Sequence, residues 1–178
     1  TAGTAAIEAM LNDIEAAAAL CGRHGWHVQI FIPSETIEPL SPILLDLPVD
    51  TVIDHFGLVR PGQQTGALPT LLRLLESGKI WVKISGAYRI AEDPFDAAIG
   101  PLARRLYEAN PDRIVWGSDW PHTPRHESRT QHADVELPYQ VIDTIGLLAL
   151  VPRWLGNERA VQRVLVENPA RLYDFEGN

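Results

Sequence analysis

Strand and helix patterns alternate along this chain, and that order constrains its fold more than any other feature. Short runs rich in Val, Ile and aromatic residues, bounded by turn residues, predict four β-strands. They are Trp26–Ile32, Thr51–Phe56, Ile80–Ser85 and Arg113–Gly117. Their starts lie about thirty residues apart, which is enough for the helical crossover that parallel strands require. The sequence therefore predicts an α/β fold with a parallel sheet.

The segments between and after these strands carry helical signals. An Ala-rich stretch, Ile7–Leu20, precedes the first strand. Pro at the first turn and Gly just past the end mark Pro69–Ser77. Asp93-Pro94 predicts the start of a further helix that runs to Glu108. Three more helical segments follow: Leu137–Leu150, Glu158–Glu167 and Ala170–Tyr173. Loops are expected over residues 32–47 and 121–137.

Two architectures share this alternation, the doubly wound sheet and the (β/α)8 barrel. No Gly-rich phosphate-binding fingerprint follows any strand, which argues against a dinucleotide-binding sheet. Polar side chains recur near the ends of all four strands, as the ring-shaped site of a barrel requires. A complete barrel has eight strands in roughly 250 residues, so the 178 residues hold only about four β/α units.

Composition excludes several classes of partner. The net charge is −8 and the 15 basic residues are scattered, so neither nucleic acid nor a membrane surface is an expected partner. No apolar run is long enough to span a bilayer. The single Cys21 cannot form an internal disulfide, which is typical of a reducing compartment. We therefore predict a cytoplasmic protein.

Ionisable side chains accompany each predicted strand, and parallel strands end at one edge of a sheet. They are His27 on the first strand, His55 at the end of the second, Lys83 on the third and Asp119 after the fourth, with Tyr88, Arg89 and His122 in the loops beyond. Each has a structural alternative, because a strand histidine is more often a hydrogen-bonded core residue and a loop arginine a surface charge. Their recurrence on four strands favours a functional site.

Five motifs taken together resemble the amidohydrolase-related family of the amidohydrolase superfamily: GWHVQIF, VIDHFG, VKISGAYR, RIVWGSDWPH and NPARLYDF. The branch they resemble most contains 2-pyrone-4,6-dicarboxylate lactonases and sugar lactonases. The resemblance implies a TIM (β/α)8 barrel in which these motifs match strands five to eight. Residues 1–178 would then be the carboxyl-terminal half of a single barrel domain. The His-x-His pair of the family's first strand has no counterpart in this sequence.

The resemblance also implies roles for individual residues. In metal-dependent members that histidine pair, a fifth-strand histidine and an eighth-strand aspartate hold a divalent ion such as Zn or Mn, which makes His27 and Asp119 implied metal ligands. Other lactonases of this branch work without metal and replace the fifth-strand histidine. His55 matches a histidine that orients the substrate, and Arg89 matches a clamp for a substrate carboxylate. Lys83, Tyr88 and His122 are further substrate-binding candidates.

The leading hypothesis is a hydrolase that opens a small carboxylated lactone by attack of water. Asp119 would take the proton of the water, and His55 or a metal ion would stabilise the oxyanion. A metal-dependent decarboxylase of the same fold is the alternative among enzymes. Outside enzymes, the chain could be a non-catalytic half-barrel that assembles with a second copy or with an amino-terminal half. No nucleotide cofactor is expected.

Overall fold

A four-stranded parallel sheet forms the centre of the computed structural model, which describes residues 4–124 and 136–175. Its strands are β1 (Val28–Ile30), β2 (Thr51–Ile53), β3 (Ile80–Ser85) and β4 (Ile114–Gly117). They lie in the order β1-β2-β3-β4, so each strand pairs with the next one in the chain. The predicted parallel α/β sheet is confirmed.

Helices connect the strands and complete the described chain. They are α1 (Thr4–Gly22), α2 (Ile37–Asp46), α3 (Ala67–Glu76), α4 (Ile99–Ala109), α5 (Thr144–Leu155), α6 (Glu158–Gln162) and α7 (Asn168–Leu172), with a π-helical turn at Arg163–Glu167. Short 3₁₀ turns lie at Ser34–Thr36, His55–Leu58, Ala87–Arg89 and Pro111–Arg113. Within the described ranges, no helix combines the length and the apolar character needed to cross a membrane.

The loop predicted over residues 32–47 is wrong, because most of it is helix α2. The helix buries Ile37, Leu40 and Leu44, which recur at helical spacing on one face. Pro42 lies inside it and removes one backbone donor, which obscured the pattern. Of the other predicted loop, residues 125–135 lie outside the described part of the chain. Helix α5 begins at Thr144 rather than at Leu137.

The two faces of the sheet have different neighbours because side chains alternate along each strand. Residues such as Ile53, Val82 and Ile114 are fully buried and belong to the main core, which the helices cover. The opposite face carries a smaller apolar cluster, Val52, Trp81 and Val115. On β3, Lys83 and Ser85 follow Trp81 on that face toward the carboxyl end. This face is called the inner face below. Its carboxyl edge holds the polar residues described next.

Candidate active site

His55, Ser85 and Asp119 meet at the carboxyl edge of β2, β3 and β4. The Nδ1 atom of His55 lies 2.9 Å from the Ser85 hydroxyl oxygen. On the other side of the ring, Nε2 lies 3.7 Å from Oδ1 of Asp119. His55 and Ser85 are both buried. The structure therefore brings the sequence-predicted residues His55 and Asp119 together. It adds Ser85, for which the only sequence signal was its place on the inner face of β3.

The two oxygens of the Asp119 carboxylate have different partners. Oδ2 accepts a hydrogen bond from Nε of Arg89 at 2.6 Å and another from the Tyr88 hydroxyl. Oδ1 is the oxygen that faces His55. Hydrogen bonds between a charged donor and a carboxylate are short and strong. Asp119 is thus fixed through one oxygen, and the other is directed toward the imidazole.

The backbone turns sharply where these side chains leave the sheet. His55 and Asp119 have φ angles of 51° and 62°, in the left-handed region that non-glycine residues rarely adopt. Such strained positions cluster at functional sites. Gly86, after β3, has a φ of 58°, and a Cβ atom there would lie 2.8 Å from Oδ2 of Asp119 and 3.0 Å from Nδ1 of His55. Glycine at this position therefore allows the two side chains to approach each other.

Asp119 and His55 have different charge states at neutral pH. Burial tends to raise the pKa of Asp119, but the hydrogen bonds from Tyr88 and Arg89 outweigh it and lower that pKa below its usual value. Burial lowers the pKa of His55 more than the nearby Asp119 raises it. Burial and the hydrogen bond to Asp119 both raise the pKa of Tyr88, which remains a donor. The site thus pairs a carboxylate with a neutral imidazole.

A second polar group, formed by Lys83, Asp54 and Gln29, lies beside this pair. Nζ of Lys83 lies 2.7 Å from Oδ1 of Asp54, and Nε2 of Gln29 donates to Oδ2 at 2.9 Å. Asp54 directly precedes His55 in the chain, so the two groups are adjacent. At Gly117 a Cβ atom would lie 3.3 Å from Cδ of Lys83, so this glycine leaves room for the lysine side chain. Lys83 presents a fixed positive charge on the inner face of the sheet.

Arg89 and His122 face other protein groups, although the sequence suggested that they contact substrate. The Arg89 side chain is 6% exposed, and its Nη2 donates to the Thr123 hydroxyl while Nε binds Asp119. His122 is buried, with Nε2 at 2.9 Å from the Thr144 hydroxyl. No sequence pattern indicated a role for Thr144, because His122, the residue that it contacts, lies in a loop far from it in the sequence.

His27 does not join this cluster. It immediately precedes β1 and therefore lies at the amino edge, the end of the sheet opposite to Asp119. Its ring packs edge-on against Tyr173 with the centroids 5.4 Å apart. Burial lowers its pKa more than nearby Asp50 raises it. The expected convergence of His27 with His55 and Asp119 is thus not found, and the inner-face residue of β1 that approaches the site is Gln29.

The residues that the structure describes do not by themselves form the divalent metal site that the family resemblance implied. In residues 4–124 and 136–175, no three His, Cys, Asp or Glu side chains are grouped so that they could hold a metal ion. Oδ2 of Asp119 is already bound by two donors, and His27 lies at the far edge.

A parallel α/β sheet with a polar site at its carboxyl edge is the arrangement of TIM-barrel enzymes. The family profile described as Amidohydrolase matches residues 6–175. The chain therefore belongs to the amidohydrolase family, as its motifs predicted.

Named relatives and a solved structure agree with this assignment. The chain is 35% identical over 156 residues to 4-sulfomuconolactone hydrolase of Hydrogenophaga intermedia, covering 86% of this chain and 48% of that protein. It is 30% identical over 161 residues to 2-pyrone-4,6-dicarboxylate hydrolase of Comamonas testosteroni, covering 84% and 49%. An apo crystal structure from Agrobacterium tumefaciens matches with a TM-score of 0.75 at 27% identity, covering 94% and 57%.

The predicted barrel-type α/β fold is confirmed by this structural match. The chain spans about half the length of the curated relatives that it matches.

Proposed function

We propose that the full-length protein hydrolyses a small lactone that carries an acidic group, with Asp119 as general base. The observation that carries the proposal is the charged Asp119, held through Oδ2 by Tyr88 and Arg89 with Oδ1 directed toward the neutral His55. The two named relatives are hydrolases of a sulfonated lactone and of a dicarboxylated pyrone, and both compounds are cyclic esters. These names support the same reaction class here.

In the proposed reaction, Oδ1 of Asp119 takes a proton from water while the water oxygen attacks the lactone carbonyl carbon. We infer that Nδ1 of His55, 2.9 Å from the Ser85 hydroxyl oxygen, accepts a hydrogen bond from that hydroxyl. Nε2 then carries the proton and donates to the developing oxyanion. Collapse of the tetrahedral intermediate breaks the ring C–O bond. The leaving oxygen takes the proton from Asp119, which regenerates the carboxylate and yields the hydroxy acid.

Positive charge for an anionic substrate comes from Lys83 in this proposal. The net charge of the chain is −8, so an anion needs a local cation to enter the site. Arg89 is 6% exposed and would have to release Asp119 to clamp a carboxylate through Nε. Lys83 is 17% exposed, and its ammonium group, which has three donors, forms an ion pair with Asp54. We therefore assign the first contact with the substrate anion to Lys83, with Arg89 serving mainly to hold Asp119.

The test is Asp119→Asn in the full-length protein, assayed for ring opening on a panel of carboxylated and sulfonated lactones. Loss of the base is expected to lower kcat/KM by roughly 10²–10⁴-fold. Asp46→Asn is the matched control, because Asp46 is an exposed carboxylate at the end of α2. The proposal is overturned if Asp119→Asn opens the lactones as fast as the wild type.

A further inference from the structure

A chain of hydrogen-bonding groups runs from the start of helix α5 to the candidate base. The Thr144 hydroxyl lies 2.9 Å from Nε2 of His122, and Nδ1 of His122 lies 3.4 Å from the Tyr88 hydroxyl. The Tyr88 hydroxyl in turn binds Oδ2 of Asp119. The Tyr88 and His122 rings also pack edge-on with their centroids 5.7 Å apart. Thr144, His122 and Tyr88 are called the Thr144 chain below.

We propose that the Thr144 chain holds the Asp119 carboxylate in the orientation that leaves Oδ1 available as the base. The proposal rests on the function proposed above and assigns Tyr88 and His122 as positioning residues instead of the substrate contacts that the sequence suggested. Thr144 is a new member of this arrangement, anchored at the first residue of α5.

The direction of each hydrogen bond follows from the chemistry of the groups. A carboxylate only accepts, so the Tyr88 hydroxyl donates to Asp119, and its oxygen accepts from His122. In the proposed arrangement the donor nitrogen of His122 is therefore Nδ1, and Nε2 accepts a hydrogen bond from the Thr144 hydroxyl. His122 is 5% exposed, so water does not readily replace these partners. The 3.4 Å distance between Nδ1 of His122 and the Tyr88 hydroxyl is the longest in the Thr144 chain.

Substitutions at Thr144 test the role of the Thr144 chain without changing the residues near the substrate. Thr144→Val removes the hydroxyl at nearly constant shape, and losing one hydrogen bond is expected to lower kcat by roughly three- to tenfold with KM unchanged. Thr144→Ser keeps the hydroxyl and is expected to restore the wild-type rate. A rise in KM at constant kcat would overturn the proposal, because it would place these residues in substrate binding.

A double-mutant cycle tests whether the effect travels through Tyr88. Tyr88→Phe removes the last donor of the chain and is expected to lower kcat more than Thr144→Val does. Adding Thr144→Val to Tyr88→Phe is then expected to cause no further loss. Independent, multiplicative losses would overturn the proposal. Thermal melting of each variant in the full-length protein verifies that it is folded.

A measurement that needs no activity separates this proposal from the lactonase assignment. In ¹⁵N-histidine NMR at neutral pH, His122 is expected to show the Nδ1–H tautomer, with a shift in Thr144→Val that Thr144→Ser reverses. An Nε2–H tautomer, or a His122 signal unaffected by Thr144→Val, would overturn the proposed role of the Thr144 chain. If the wild type opens no lactone while His122 shows the expected signature, the function fails and the positioning chain stands.

Discussion

Oδ1 of Asp119 and Nε2 of His55 lie 3.7 Å apart, and at neutral pH the carboxyl group is charged whereas the imidazole is neutral. Tyr88 and Arg89 stabilise the charge on Asp119 through direct hydrogen bonds. His55 is buried and its Nδ1 faces the uncharged Ser85 hydroxyl, so desolvation decides its state. The contact therefore joins a carboxylate to a neutral ring instead of forming an ion pair. In the proposed reaction, the carboxylate serves as the base for water and the neutral ring as the hydrogen-bond donor to the oxyanion.

The lowered pKa of His55 predicts how stability depends on pH. Because the folded state resists protonation of this ring, the unfolded chain binds more protons as the pH falls below about 6.5, the usual histidine value. The free energy of unfolding is therefore expected to be highest above that pH and to fall as the pH drops toward the lowered pKa of the folded protein. Urea denaturation of the full-length protein at a series of pH values measures this dependence.

His55→Gln is expected to make the loss of stability on acidification shallower, since it removes one of the buried rings. The pKa of His27 is lowered by burial in the same direction, so part of the slope should persist. His24→Gln is the matched control at an exposed histidine and is expected to leave the slope unchanged. An identical slope in wild type and His55→Gln would contradict the assignment.

The turn after β3 shows how a single glycine sets the spacing of the site. Ser85 ends the strand, Gly86 follows with a φ of 58°, and the 3₁₀ turn Ala87–Arg89 then places Tyr88 and Arg89 over Asp119. A side chain at position 86 would enter the space between Asp119 and His55. This short element therefore supplies Tyr88 and Arg89, which bind Asp119, and Ser85, which contacts His55.

Gly86→Ala is expected to lower both stability and activity, because its Cβ would displace Asp119 and His55. The left-handed backbone alone costs an alanine about 1–2 kcal/mol. Gly62→Ala is the matched control, since Gly62 has a φ of 80° and nothing within 4 Å of its Cβ position. Denaturation is expected to show a similar backbone cost in both variants, and the kinetic assay a loss of at least about tenfold only in Gly86→Ala. Equal activity of the two variants would contradict this account.

Asn168, at the start of α7, joins the end of the described chain to the sheet. Its Nδ2 donates to the carbonyl oxygens of Pro111 at 2.8 Å and Ile114 at 2.7 Å, and its Oδ1 accepts from Arg171. The side chain is fully buried. Because β4 leads directly to Asp119, this contact fixes the strand that carries the candidate base.

Asn168→Ala is expected to lower the free energy of unfolding by about 1–3 kcal/mol, since it leaves buried carbonyl groups without donors. Asn168→Asp should be no better, because a carboxylate cannot donate to those carbonyls. Arg171→Ala, at a side chain that is 53% exposed, is expected to cost less. Chemical denaturation compares the four proteins, and an Asn168→Ala variant as stable as the wild type would contradict the anchoring role.

The alternation of strands and helices, the span of β3 and the places of His55 and Asp119 after their strands all followed from local signals. Hydrophobic period and turn residues act over a few positions, so a sequence displays them directly. Helix α2 escaped detection because Pro42 interrupts its pattern. Other features depended on contacts between residues that lie about 20 to 30 positions apart or more. They are the place of His27 at the amino edge, the hydrogen bond from Arg89 to Asp119 and the burial of His122 against Thr144. The packing of distant elements determines such contacts. No local pattern predicts which oxygen of a carboxylate a side chain from another element will bind.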